Sequence, residues 1–112
     1  MAEKRTVDRK NRRLQVRYGT DGLDRVGFTC DINPEGFFIQ TSNIARPGTL
    51  LRVEVAIPNG DPVHLLGRVQ WAKKVPPKLL SLVKKGGMGI RIIRFSAGEE
   101  AYIAYCAELF RL

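Results

Sequence analysis

Apolar side chains recur at every second position along much of this chain and then, near its end, change to helical spacing. Leu14, Val16 and Tyr18 alternate with Gln15 and Arg17, the pattern of a strand with one face turned to a core. Gly19-Thr20-Asp21-Gly22 reads as a turn. Val26, Phe28, Cys30 and Ile32 repeat the alternation and predict a second strand with that apolar set inward. Asn33-Pro34-Glu35-Gly36 matches a type I turn, with Asn first, Pro second and Gly fourth. Phe37 to Thr41 predicts a third strand. After the break at Arg46-Pro47-Gly48, Leu51, Val53, Val55 and Ile57 predict a fourth.

Pro58-Asn59-Gly60-Asp61 turns the chain into a long fifth strand, with Val63, Leu65, Gly67, Val69 and Trp71 on one side and His64, Leu66, Arg68 and Gln70 on the other. Residues 78–85, after Pro76-Pro77, fit either a short helix or an insertion. Gly86 to Phe95 predicts a sixth strand. Ser96 followed by Glu99 has the spacing of a capping box, and Tyr102, Ile103, Cys106, Leu109 and Phe110 then fall on one helical stripe, so a helix is expected over 97–111. Six short strands and a terminal helix make a mainly β chain, a small antiparallel barrel whose helix covers one mouth or edge.

Composition narrows the function. At 112 residues, with 44% hydrophobic and 27% charged, the chain is one compact folded domain. No apolar run reaches the ~18 residues of a membrane span, and Met1-Ala2-Glu3-Lys4-Arg5 is not the start of a secretory signal, so a soluble cytoplasmic protein is expected. Cys30 and Cys106 form no metal or disulfide motif and His64 is the sole histidine. No metal site and no cofactor are therefore expected. The net charge is +8. Seven basic residues stand against two acidic ones in the first 17, and residues 73–85 add five lysines without an acid. Such segments suit an anionic partner, or are simply solvated.

One constellation has the chemistry for a nucleotide. Arg5, Arg9 and Arg13 are spaced four apart. A guanidinium grips a phosphate or the O6/N7 edge of guanine through paired hydrogen bonds, or stacks on a purine. Asp31 and Asn33 are two apart in an extended stretch and share a face, with Ile32 between them turned to the core. A carboxylate only accepts, which suits the N1 and N2 donors of guanine. Gly36 lets a ligand approach the backbone closely. Each residue also has a plainer role: Asn33 and Gly36 as turn formers, Asp31 as an ion-pair partner for the arginines. Trp71, on the Val63–Val69 side, is expected to pack in the core. Gly86-Gly87-Met88-Gly89 lacks a following Lys-Ser or helix and reads as a turn, not a phosphate cradle.

These motifs resemble the PilZ domain family, whose signature is R-x-x-x-R before the first strand and [D/N]-x-S-x-x-G some twenty residues later. Arg5-Thr6-Val7-Asp8-Arg9 fits the first part; Asp31-Ile32-Asn33-Pro34-Glu35-Gly36 fits the second, with Asn33 in place of serine. Val16-Arg17-Tyr18, Phe37-Phe38-Ile39, Pro47-Gly48-Thr49, Gly67-Arg68-Val69 and Gly87-Met88-Gly89-Ile90 follow the family's strand sequences in order. Arg9 to Arg13 offers a second R-x-x-x-R, but Arg5 and Arg9 stand at the family's usual distance from the first strand.

The resemblance implies a PilZ-type six-stranded barrel over 14–112 and a flexible basic arm over 1–13 that closes on cyclic di-GMP, a bacterial second messenger. Arg5 and Arg9, with Arg13 in reserve, would take phosphates and guanine edges, Asp31 guanine donors, Asn33 and Gly36 the remaining contacts, and Trp71 would lie near a base. The implied function is signal transduction: ligand binding orders the arm, and an effector protein reads the change. Two other readings compete, a PilZ interaction domain that has lost its ligand, for which Asn33 is the argument, and a basic small barrel that binds nucleic acid, disfavoured because the aromatics form no exposed row. An enzyme is not expected, since no nucleophile has a base at recognisable spacing. Monomer and homodimer both remain open.

Overall fold

The computed structural model describes residues 13–58, 60–74 and 86–109. Six strands, β1 (Gln15–Gly19), β2 (Arg25–Asn33), β3 (Gly36–Gln40), β4 (Leu50–Val55), β5 (Val63–Lys73) and β6 (Gly87–Ala97), precede one helix, α1 (Glu99–Leu109). They form a closed antiparallel barrel in the order β1-β2-β3-β6-β5-β4, with β4 pairing back to β1. The expected barrel and C-terminal helix are therefore present. Residues 1–12 of the proposed arm, Arg5 and Arg9 among them, and residues 75–85 of the Lys-rich 73–85 segment lie outside the described residues.

Alternation puts Val16 and Tyr18 of β1, Leu51, Val53 and Val55 of β4, and Val63, Leu65 and Val69 of β5 into one core, together with Ile39, Met88 and Ile90. Ile57 packs against that core from beyond the end of β4. Filling a small barrel with side chains from every wall is what makes it solid instead of hollow.

The second strand departs from its pattern. Val26 and Phe28 are 51% and 40% exposed, while Gly27 and Thr29 point inward. A Cβ on Gly27 would meet Ile39 Cγ2 at 2.6 Å, so the inner wall has room only for glycine there. Thr29 is fully buried, and its hydroxyl accepts the Leu14 N–H at 3.0 Å while its own N–H donates to the Leu14 carbonyl at 2.8 Å. A register shift between Cys30 and Asn33 then reverses the parity, so that Ile32 is buried as expected. An inserted residue of this kind moves every later side chain to the opposite face.

The start of the helix also differs. Ser96 remains in β6 and donates to the His64 carbonyl at 3.3 Å, because the β5–β6 ladder runs on to the pair His64 and Ala97. No capping box forms. Gly98, at φ 84, turns the chain, and its carbonyl accepts the Tyr102 N–H at 3.0 Å. Tyr102, Cys106 and Leu109 form the buried stripe, and Ile103, expected in it, is 40% exposed. Phe110 lies outside the described residues. From Gly98, packed on Val63, the helix carries Tyr102 to Phe95 and Phe37, with ring centroids at 5.4 and 6.4 Å.

Candidate ligand-binding site

The turn joining β2 to β3 is built by Asn33. Its Oδ1 accepts the Glu35 N–H at 2.8 Å and the Gly36 N–H at 3.2 Å, the local bonding that favours Asn at a turn's first position. Gly36 is fixed by packing: a Cβ there would collide with the Ile90 carbonyl of β6. Beneath the turn, the buried Tyr102 hydroxyl donates to the Asn33 carbonyl at 2.7 Å, with the Gly36 carbonyl at 3.5 Å. Burial, with the Cys106 thiol next to it, pushes the Tyr102 hydroxyl far above the ordinary tyrosine range. It therefore holds its proton and remains a donor to the turn.

Asp31 precedes the turn at φ 50, the only non-glycine residue with positive φ among those described. Aspartate tolerates the left-handed region better than most residues, at a cost of about 1–2 kcal/mol relative to glycine. That conformation is where the strand shifts register, and it leaves Asp31 exposed beside a buried Ile32. Among the described residues the Asp31 carboxylate has no hydrogen-bond or ion-pair partner.

Trp71 is not in the core. A register shift between Val69 and Trp71 sends the indole outward, 51% exposed. It crosses Gly89, where a Cβ would collide with the indole, and stacks on Phe38 of β3 at 5.3 Å between centroids and 28° between planes. Phe38 points out of the barrel too, yet is only 8% exposed because Trp71 covers it.

Asp31, Asn33, Gly36 and Trp71 thus border one open depression of about 380 Å³. The structure does not bring Arg13 into it: the Arg13 guanidinium lies over the Phe28 ring, 4.8 Å from its centroid. Arg91 and Gln70 also line the depression and are absent from the sequence motif. The alternation points to Arg91, since Met88 and Ile90 face inward and Arg91 pairs with Gly36 across the ladder. Among the described residues neither Asp31 nor Arg91 has an ion-pair partner, so the depression combines a carboxylate, a guanidinium and a partly open indole. That set suits a planar, donor-bearing anion. Among the described residues no three of His, Cys, Asp or Glu gather to hold a metal ion, and no helix is long and apolar enough to cross a membrane.

Comparison with known proteins gives two findings. The model of the PilZ domain matches residues 3–108. The solved structure of the Bacillus subtilis inhibitor of motility, MotI/DgrA, is similar with a TM-score of 0.69 at 17% identity, covering 88% of this chain and 47% of that one. The chain spans about half of that protein's length, and at this identity the likeness is one of fold. No curated protein matches the sequence significantly.

Proposed function

The chain belongs to the PilZ domain family, and from that membership we propose that it is a receptor for cyclic di-GMP, which binds in the depression beside the Asn33–Gly36 turn. The observation that carries this reading is the convergence of Asp31, Asn33, Gly36 and Trp71 on one surface, although two register shifts separate them from simple alternation. In the complex Asp31 accepts from the N1 and N2 donors of a guanine, and the exposed part of Trp71 packs near a base. Arg91 adds a cation beside the ring system or its phosphates.

Arg5 and Arg9 complete the site from the arm. Gln15 lies opposite Phe28 in an antiparallel pair, so β1 begins beside the part of β2 that leads to Asp31. Asp31 is two residues beyond Thr29, about 7 Å along the strand. Arg9 is five residues before Leu14, a reach of up to about 17 Å. Arm closure then changes the surface that an effector protein meets.

Calorimetric titration with cyclic di-GMP tests the reading. Binding should weaken about tenfold to a hundredfold in Arg9→Ala, the loss of one or more charge-assisted hydrogen bonds. Undiminished affinity would remove Arg9 from the site.

A second reading rests on Asn33. Its amide oxygen is engaged by two backbone N–H groups, which leaves only its NH2 group for a ligand. A PilZ domain that serves as a protein-interaction module without the dinucleotide would show no heat of binding in the wild type, and an Asn33→Ser variant would not restore it.

A further inference from the structure

The outer wall formed by β4, β5 and β6 carries a feature that the ligand site shares only at Arg91. Two cross-strand rows lie side by side there: Leu50, Arg68 and Arg91 in one, Arg52, Leu66 and Arg94 in the next. Leu66 therefore has Arg52 and Arg94 as lateral neighbours, with Arg68 and His64 two residues away along its own strand. It is half-buried in a depression of about 370 Å³. Arg52, Arg68 and Arg94 have no ion-pair or hydrogen-bond partner among the described residues. Glu54, the acid of these strands, is occupied by Arg17 at 3.0 Å and by His64 at 3.6 Å, and Asp21 of the β1–β2 loop also lines the depression, one acid against Arg52 and Arg94.

This arrangement is costly to a free surface. Arg68 stands directly opposite Arg91, and like charges facing each other across a ladder are destabilising. Leu50 and Ile93 are 45% and 40% exposed on the same strands. An apolar centre surrounded by guanidinium groups has the composition of a protein-binding hot spot, where Arg is enriched and flanking groups exclude water. A single-stranded nucleic acid would need aromatic faces for its bases. Among the described residues the exposed large aromatics, Phe28 and Trp71, belong to other parts of the barrel.

We propose that this wall is a docking surface for an acidic segment of a partner protein, with an apolar side chain of the partner seated on Leu66 and its carboxylates on Arg52, Arg68 and Arg94. Arg forms paired hydrogen bonds with carboxylates, and the chain's net charge of +8 steers such a partner toward it. Arg52, Leu66, Arg68 and Arg94 lie outside the dinucleotide depression, which the wall adjoins at Arg91.

The probe is a fluorescein-labelled peptide of alternating Glu-Leu-Glu blocks, followed by anisotropy and by amide chemical shifts of the full chain. Binding should fall at least tenfold in Arg52→Glu/Arg94→Glu and at least threefold in the milder Arg52→Gln/Arg94→Gln, which guards against a folding defect in the reversal. Lys73→Glu/Lys74→Glu, a reversal of equal charge at the far end of β5, should change affinity less than twofold. Shifts should centre on the amides of Arg52, Leu66 and Arg94. Equal losses in the two charge reversals, shifts confined to the Asp31–Gly36 turn, or tighter binding of oligouridylate or anionic vesicles with the same dependence on Arg52 and Arg94 would each overturn the proposal.

Discussion

The Tyr102 hydroxyl donates to the Asn33 carbonyl at 2.7 Å, so a helix at the end of the chain holds the turn that shapes the candidate ligand site. Tyr102→Phe keeps the ring packed against Phe37 and Phe95 and removes that bond together with the longer contact to the Gly36 carbonyl. Losing a bond to this part-buried carbonyl costs about 0.5–1.5 kcal/mol, measurable by urea denaturation. The same variant should weaken cyclic di-GMP binding severalfold through a looser turn. Unchanged stability would show that the hydroxyl bears no weight.

Gly89 and Trp71 make a second test, since Trp71 is the only tryptophan and its emission reports its own position. A Cβ at residue 89 would displace the indole. Gly89→Ala should shift Trp71 emission to the red and destabilise the fold by about 1–3 kcal/mol, the usual cost of overpacking. An unaltered spectrum would mean that the indole does not rest on Gly89.

At Asp31 stability and binding should part company. With φ at 50, Asp31→Gly relieves backbone strain and should raise stability by up to about 1 kcal/mol, while deleting the carboxylate offered to guanine and weakening dinucleotide binding tenfold or more. Asp31→Val, β-branched at a left-handed position, should lower both. Thermal melts beside titrations separate the two effects.

Alkaline pH gives a fourth prediction. Burial raises Tyr102, Cys106 and Tyr18 above their ordinary values. The folded state therefore keeps these protons while the unfolded chain releases them above about pH 9 for the thiol and pH 10 for the phenols. Their contribution is fully present below those values and declines as pH rises through them. Each retained proton lowers the unfolding free energy by about 1.4 kcal/mol per pH unit. Denaturation from pH 8 to pH 11 should show this fall, with a shallower slope in Tyr102→Phe; an equal slope would refute the part given to Tyr102.

How far the sequence exposes the molecule depends on where its alternation is continuous. β1 and β4 follow the pattern to their ends, and the ordered motifs identify the family. Parity in β2 is not legible, because Val26 and Phe28 look more apolar than Gly27 and Thr29. The inner wall selects the latter pair through the space taken by Ile39 and the hydrogen bonds of Leu14. Trp71 belongs by count to the inward set of β5, and one extra residue turns it out. Extra residues leave no mark in a hydrophobic pattern. Here they put Asp31 and Trp71 at the depression, so the positions that defeat simple counting are those with a proposed function.

Closure of the barrel, with β4 seamed to β1, has a consequence for assembly. Each described strand has neighbours on both flanks, so no whole strand is left as an edge for a visiting peptide backbone; β6 beyond Ile92 runs on past its last pair with β3. Recognition by another macromolecule across the paired part of the wall is then written in side chains, and single substitutions there can retune it without unpicking the scaffold.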